Sequence, residues 1–515
     1  MASKTEKPMA SAYCTVVRPS NYLDRMFYIQ HRVGAQSNII LSAHYASASG
    51  ADQNSLPREA VYSAVRSVIA EYPELSLIGV VEPLGKKGHH ALRLAALHEI
   101  DLETCVEFRD DDEPKATPEA LERLHNEWDW TAQQFNPRQP WWKVVVLGSQ
   151  QVVFVYHHIV CDGRFSQMFQ RQLLAGLNSF DEHQGPSSKI IKIDPETVRL
   201  GPEMEKFTTS TVSVFWIIHI FLSFVFLRLF LGSRLLFTDL PRAKPPAKFA
   251  LVDALPDERT KTRVATLRIS AARMRRIVSV CRERNATFTP LLLSMMLCTL
   301  ACDYYPSAKV GISNCALDLR PLSPRETESS RSAKLLQQAG GHHKFTWLER
   351  CRRIFHHQAW SQNGHGEPDA KAPKVDIDAA WQLVQEYRAS LTKGFQTDPS
   401  PYLQMIKAGN NVSNDLEGTY KSNFPLLGTH LNNSIQLSNI GVFATESNGG
   451  PWKIDDMSFS AAAVNGNLSY NISLNTIGVE GGDTVVNASY EDGILAQDMV
   501  SGILEATLER IEAIL

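Results

Sequence analysis

"FVYHHIVCDGRF", residues Phe154 to Phe165, begins as an apolar strand and ends as a turn, with two histidines at the joint. Upstream, "WWKVVVLGSQQVVFVYHH" holds two β-branched runs separated by "GSQQ", which predicts a hairpin whose second strand delivers His157 and His158. Downstream, "RFSQMFQRQLLAGLN" carries apolar residues at helical spacing and predicts a helix ending near Asn178. The order is therefore strand, turn, helix, and a side chain at the strand end can reach into a cleft while the sheet holds its backbone.

Histidine is the side chain whose ordinary pKa lets it act as a neutral base near pH 7, so His158 is the candidate for taking a proton from a hydroxyl. Asp162 follows four residues later in the turn. A carboxylate buried there needs a cation or several donors, because an unpaired buried charge costs several kcal/mol. Gly163 frees the backbone for the turn. The HxxxD spacing by itself is weak, since a chain with 16 histidines meets it about once by chance. Other chemistries fit less well. No GxSxG elbow suggests a serine hydrolase, and Cys161 sits in the turn with no separate base in view. Metal is not expected: no HExxH is present, and His342/His343 and His356/His357 with Cys351 lie in a polar region.

Composition bounds the rest. With 515 residues, two large units or a pair of fused halves are expected. Hydrophobic residues at 43% and charged residues at 21% suit a globular chain. A formal charge of −3, from 52 basic and 55 acidic residues, argues against nucleic acid as a partner. The eight cysteines are scattered without a CxxC pair and read as reduced thiols. The N-terminal residues lack the apolar core of a secretory signal.

One segment breaks the soluble pattern. "VSVFWIIHIFLSFVFLRLFL", Val212 to Leu231, is apolar over 20 positions apart from His219 and Arg228. That length can span a bilayer, but a span would separate two halves that share a site. An interfacial anchor is therefore expected, with Arg228 reaching to the surface; a packed connector helix is the alternative.

Along the chain, "SLPREAVYSAVRSVIAEYP" predicts a helix capped by Ser55 and stopped at Pro73. "ISAARMRRIVSVCRERN" predicts a second, capped by Ser270. "TFTPLLLSMMLCTLA", apolar all round, predicts a core helix capped by Thr289. Three regions result: 1–200 carrying the HHxxxDG turn, 201–260 with the apolar segment and a Pro/Lys linker, and 261–515. Residues 323–374 read as a polar, mobile insertion.

The turn "FVYHHIVCDGRFSQMFQRQLLAGLN" resembles the signature of CoA-dependent acyltransferases with an HxxxD motif, a group related to the BAHD acyltransferases and condensation domains, and most closely that of fungal alcohol acetyltransferases. "RPSNYLDRMFYIQHRVGAQSNIILSAHY", "PWWKVVVL", "ALDLRPL", "LSNIGVF" and the block from Trp452 resemble further parts of that family, in order. The resemblance implies an α/β (α+β) fold of two chloramphenicol-acetyltransferase-like sandwich halves with an interface tunnel. It implies that acetyl-CoA, or another acyl-CoA, and a hydrophobic alcohol meet at His158, without an acyl-enzyme or a metal. It further implies that Asp162 pairs with Arg320, and it makes Ser438, Asn439 and His157 candidate oxyanion or tunnel residues. A monomer is expected, held at a lipid surface through Val212–Leu231 on the cytosolic face of endoplasmic reticulum or lipid droplet. Transfer to amines, a longer acyl donor, or a catalytically silent homologue that only binds a hydrophobic ligand are the other readings.

Overall fold

The hairpin that ends in the two histidines lies inside a five-stranded sheet. The computed structural model describes residues 12–515 except 36–37, 49–54, 86–87, 111–114, 133–135, 182, 184–187, 202, 208–210, 241–250, 323–337, 356–374, 397–400, 428–433, 445–448 and 465–469. The linker at 241–250 thus lies outside the described residues.

Chain order gives strands β1 Cys14–Pro19, β2 Ile39–Ser47, β3 Leu77–Pro83, β4 His90–Leu97, β5 Glu99–Asp101, β6 Val106–Arg109, β7 Trp142–Leu147, β8 Gln151–Tyr156 and β9 Ile190–Lys192 in the first part. The later part adds β10 Thr262–Ile269, β11 Val310–Asp318, β12 Ala339–Trp347, β13 Ser434–Phe443, β14 Trp452–Ala461, β15 Ile472–Val479 and β16 Thr484–Glu491. The first large sheet runs β14-β2-β8-β7-β6 and the second β10-β16-β15-β13-β11-β12, with β1-β4-β3 and β5-β9 as small satellites. This α/β architecture is the one the resemblance implied.

Every residue of β7 and β8 is buried, which is what continuous Val, Phe and Tyr runs produce when both faces of a sheet are covered. Gly148 and Ser149 close the hairpin with φ of 49° and 69°. Helices α1 Tyr22–Arg32, α2 Arg58–Glu71, α3 Leu102–Cys105, α4 Pro118–Glu127 and α5 Gly163–Asn178 belong with this sheet. The α2 helix starts at Arg58, with Pro57 rather than Ser55 at its N-cap and no side-chain cap bond.

The second core lies under α7 Ala271–Glu283, α8 Phe288–Thr299, α9 Leu348–Ile354, α10 Ile377–Gln396 and α13 Gln497–Ala513; α11 Pro401–Val412 and α12 Leu416–Leu427 pack on α1. Ser270 caps α7 as read, by accepting from Arg273 N. The α8 helix is buried along its length, but its N-cap is Thr287, not Thr289. Strand β14 comes from the C-terminal part yet completes the first sheet against β2. Its outer side is stitched to the second sheet, where Asn487 Nδ2 donates to Ser458 Oγ and Phe459 O at 2.8 Å each.

The reading of residues 323–374 is corrected. Residues 323–374 are not one insertion: β12 pairs with β11 from Ala339 to Trp347 and α9 follows directly. "AGGHHKFTW" hid this strand because two glycines and two histidines dilute the β-branched signal. The apolar segment folds as α6 Val214–Phe226 with a π turn Leu227–Leu231, and its side chains are not packed away: Phe215 is 85% and Phe221 61% exposed. Among the described residues no single helix is long and apolar enough to cross a membrane.

Candidate active site

The strand β8 ends at Tyr156, and the ladder reaches one residue further through His157 N donating to Trp141 O at 2.9 Å. His157 then turns inward. Its Nδ1 accepts from Ile159 N at 3.0 Å, and its ring lies edge-on to His31 and Trp141. Burial and the neighbouring His31 and His158 hold it well below the ordinary histidine range. An imidazole committed to its own turn and to the first core serves to shape the loop that carries the next residue.

That residue, His158, is only half-buried. Its ring stacks on Phe27 of α1 with centroids 4.0 Å apart and planes 12° from parallel. Burial lowers its pKa, opposed by backbone hydrogen bonds and by the Asp162 charge, so the ring is neutral at pH 7. The helix α1 that brings Phe27 is fixed twice. Asn21 and Asp24 form a capping box at its start, and Arg25 reaches Thr419 Oγ1 at 3.0 Å, Asn410 Oδ1 at 2.8 Å and Ser413 O at 2.9 Å on the α11–α12 side.

Asp162 is the N-cap of α5, its Oδ1 accepting from Phe165 N at 3.0 Å. The same oxygen receives Arg320 Nη2 at 3.0 Å, and Oδ2 receives the Gln338 amide at 2.8 Å. Arg320 also binds Asp318 at 2.9 Å, and Asp162 and Asp318 raise the guanidinium pKa although burial opposes them. The carboxylate thus has the cation and the donors its burial demands. It faces the second sheet, so it fixes the turn that carries His158 without being the group presented beside the ring.

Gly163 has a different reason than the one read from the sequence. Its φ is not among the positive values. A Cβ there would stand 2.7 Å from Phe459 of β14 and 2.9 Å from Ile440 of β13, so the glycine permits close approach rather than an unusual turn. Cys161 is fully buried and burial raises its thiol far above the usual range.

Ile440 against Gly163 shows which face of β13 looks at the turn. Ser438 shares that face by strand alternation and is partly exposed. Asn439 points the other way around a bulge: Nδ2 donates to Thr289 Oγ1 at 3.0 Å, and Oδ1 accepts from Gly441 N at 2.9 Å. Its side chain is spent on local structure.

The structure therefore brings together His158, Asp162, Gly163, Arg320 and the Ser438 face from both halves. A family model described as alcohol acetyltransferase matches residues 100–325, a stretch that includes both Asp162 and Arg320. Over that stretch the chain is similar to the alcohol acetyltransferase family. A probable alcohol acetyltransferase of Fusarium pseudograminearum, FCK4, is 21% identical over 460 residues, spanning 86% of this chain and 84% of its own length. In fold, the chain is similar to the trichothecene 15-O-acetyltransferase TRI3 of Fusarium sporotrichioides, with TM-score 0.67, 12% identity, and 99% and 97% of the two chains covered. It is also similar to the condensation domain of the monacolin K polyketide synthase MokA, with TM-score 0.53, 10% identity, and 97% of each chain covered. The resemblance read from the sequence is borne out.

Sequence reading missed Phe27 and the Gln338 amide. Phe27 lies inside the quoted N-terminal signature, but nothing in its spacing announces a ring contact with residue 158. Of the histidines weighed for metal, His342 Nε2 bonds Ser390 Oγ at 2.7 Å, His343 bonds Asn314, and His356 and His357 lie outside the described residues. A cluster not singled out by sequence joins His89, Asp415 and Glu417, whose ligand atoms lie within 4.8 Å of one another. His89 pairs with Asp415 and His90 with Glu417, each at 2.7 Å, tying β4 to the start of α12.

Proposed function

We propose that this chain transfers an acetyl group from acetyl-CoA to the hydroxyl of a hydrophobic alcohol. The observation that carries the reading is the His158 ring, half-buried, stacked on Phe27 and carried by a turn fixed by Asp162 and Arg320. His158 takes the hydroxyl proton as the alcohol oxygen attacks the thioester carbonyl. The tetrahedral intermediate breaks its carbon–sulfur bond, the new ester leaves, and the CoA thiolate recovers the proton from His158. No covalent bond to the protein forms. Ser438, on the β13 face that meets Gly163, is the donor for the developing oxyanion, a contribution of about 3 kcal/mol if well aimed. Asn439 is spent elsewhere and takes no part.

The α6 segment adds a place. Val214, Phe215, Ile217, Ile218, Phe221 and Leu222 are exposed, and a hydrophobic alcohol concentrates in lipid, so the enzyme sits at a membrane surface facing the cytosol, that of the endoplasmic reticulum or a lipid droplet. Flotation of the intact chain and of one lacking 212–231 with liposomes tests this; equal membrane recovery removes the idea.

The chemistry is tested by incubating the protein with acetyl-CoA and a panel of alcohols and amines while following free thiol. Release that depends on an alcohol and disappears in His158→Ala is expected. Release that needs no acceptor and survives in the variant overturns it, and preference for amines would reassign the acceptor.

A further inference from the structure

The second large sheet has two unlike faces. Helices cover one: Lys344 Nζ lies 4.7 Å over the Tyr387 ring of α10, and Ile435 and Leu437 are fully buried. The other face is that of Ile440 and Ser438, which meets the HHxxxDG turn. Register extends this face sideways, since Gln436 of β13 pairs with Asn314 of β11, and Asn314 with His343 of β12. Those three positions span about 10 Å across the strands. Asn314 Nδ2 donates to His343 Nε2 at 2.9 Å. His343 keeps exposed surface on this face.

Outward along β12 the same face carries Phe345, 50% exposed, and Trp347, 62% exposed. Trp347 pairs across the ladder with Val310, and Val310 bridges to Leu235, one residue beyond the helical run that continues α6. A single strand face thus leads from the root of the exposed apolar helix, past two aromatic rings, to a polar row two residues along β13 from Ser438.

We infer that this face is the entry lane of the acceptor: Trp347 and Phe345 receive the apolar body from the lipid side, while His343, Asn314 and Ser438 lead its hydroxyl toward His158. The inference rests on the alcohol acceptor named above. It fits a molecule with a long apolar part and one polar end, since the lane changes from aromatic to polar in that order. A short soluble alcohol gains little from the rings.

Two measurements on the full-length chain test it. The ratio of kcat/KM for decanol to that for butanol is expected to fall at least about fivefold in Phe345→Ser/Trp347→Ser, because the lost contacts serve only the longer chain; an unchanged ratio overturns the lane. Separately, a diazirine-bearing decanol photolysed on the protein is expected to leave adducts on residues 343–347 that excess decanol prevents. Adducts only elsewhere overturn the lane, as do adducts prevented by decanoyl-CoA but not by decanol, which would give this face to the donor. Adducts on β12 without any thiol release from acetyl-CoA would support the lane and sink acetyl transfer, so the two readings fail separately.

Discussion

Arg320 donates to Asp162 across 158 residues of sequence, joining the loop after β11 to the first turn of α5 at 3.0 Å. The pair is largely shielded from water, with side-chain exposures of 18% and 5%. Removing one partner therefore leaves a charge that water cannot reach.

Arg320→Ala is expected to cost about 3 kcal/mol, reduced somewhat by the Phe165 and Gln338 amides that still reach the carboxylate. Urea unfolding of both proteins measures it. A loss below about 0.5 kcal/mol, the scale of a surface pair, would contradict the burial argument.

Phe27 covers one face of the His158 ring. Burial lowers the His158 pKa, so the base is neutral above its folded pKa and activity is lost as pH falls through that value, below about 6.5. Phe27→Ala admits water and moves the acid limb of the kcat/KM profile upward, whereas Phe27→Trp keeps it in place. Imidazole titration by NMR reads the same shift without turnover, and coincident limbs in all three proteins would remove Phe27 from the ring's environment.

Gly163→Ala places a methyl within 2.7 Å of Phe459 and 2.9 Å of Ile440. The start of α5 must move away from β13 and β14, at a cost of about 1–3 kcal/mol. Thermal unfolding and thiol release should both decline. Full activity at native stability would mean that this approach is looser than it stands here.

His125 is fully buried on α4 and bonds Ser460 Oγ of β14 at 2.8 Å; burial pushes its pKa down to about 3. The unfolded chain binds a proton near pH 6.5 and the folded protein does not, so stability falls as pH drops from about 6.5 toward 3, by about 1.4 kcal/mol per pH unit. His125→Gln should remove one such group. Unfolding free energies at pH 7 and pH 5 would then differ less than in the parent, and an equal difference would refute the assignment.

The local parts were legible in the residues themselves. Continuous β-branched runs marked β7 and β8, apolar spacing marked α5 with its end near Asn178, and the all-apolar run marked α8, because these patterns are properties of neighbouring residues. The HHxxxDG turn and its Arg320 partner came from motifs in order. Packing across the chain was not legible. Nothing near Phe27 points to residue 158, nothing near Trp452 places β14 in a sheet begun at Ile39, and Gly163 gives no sign that Phe459 presses on it. These contacts join residues hundreds of positions apart, and their energy depends on shape and distance that only the assembled fold fixes. Sequence named the imidazole and the charge that steadies its turn; tertiary structure decided which ring lies on it and which face of the second sheet the turn meets.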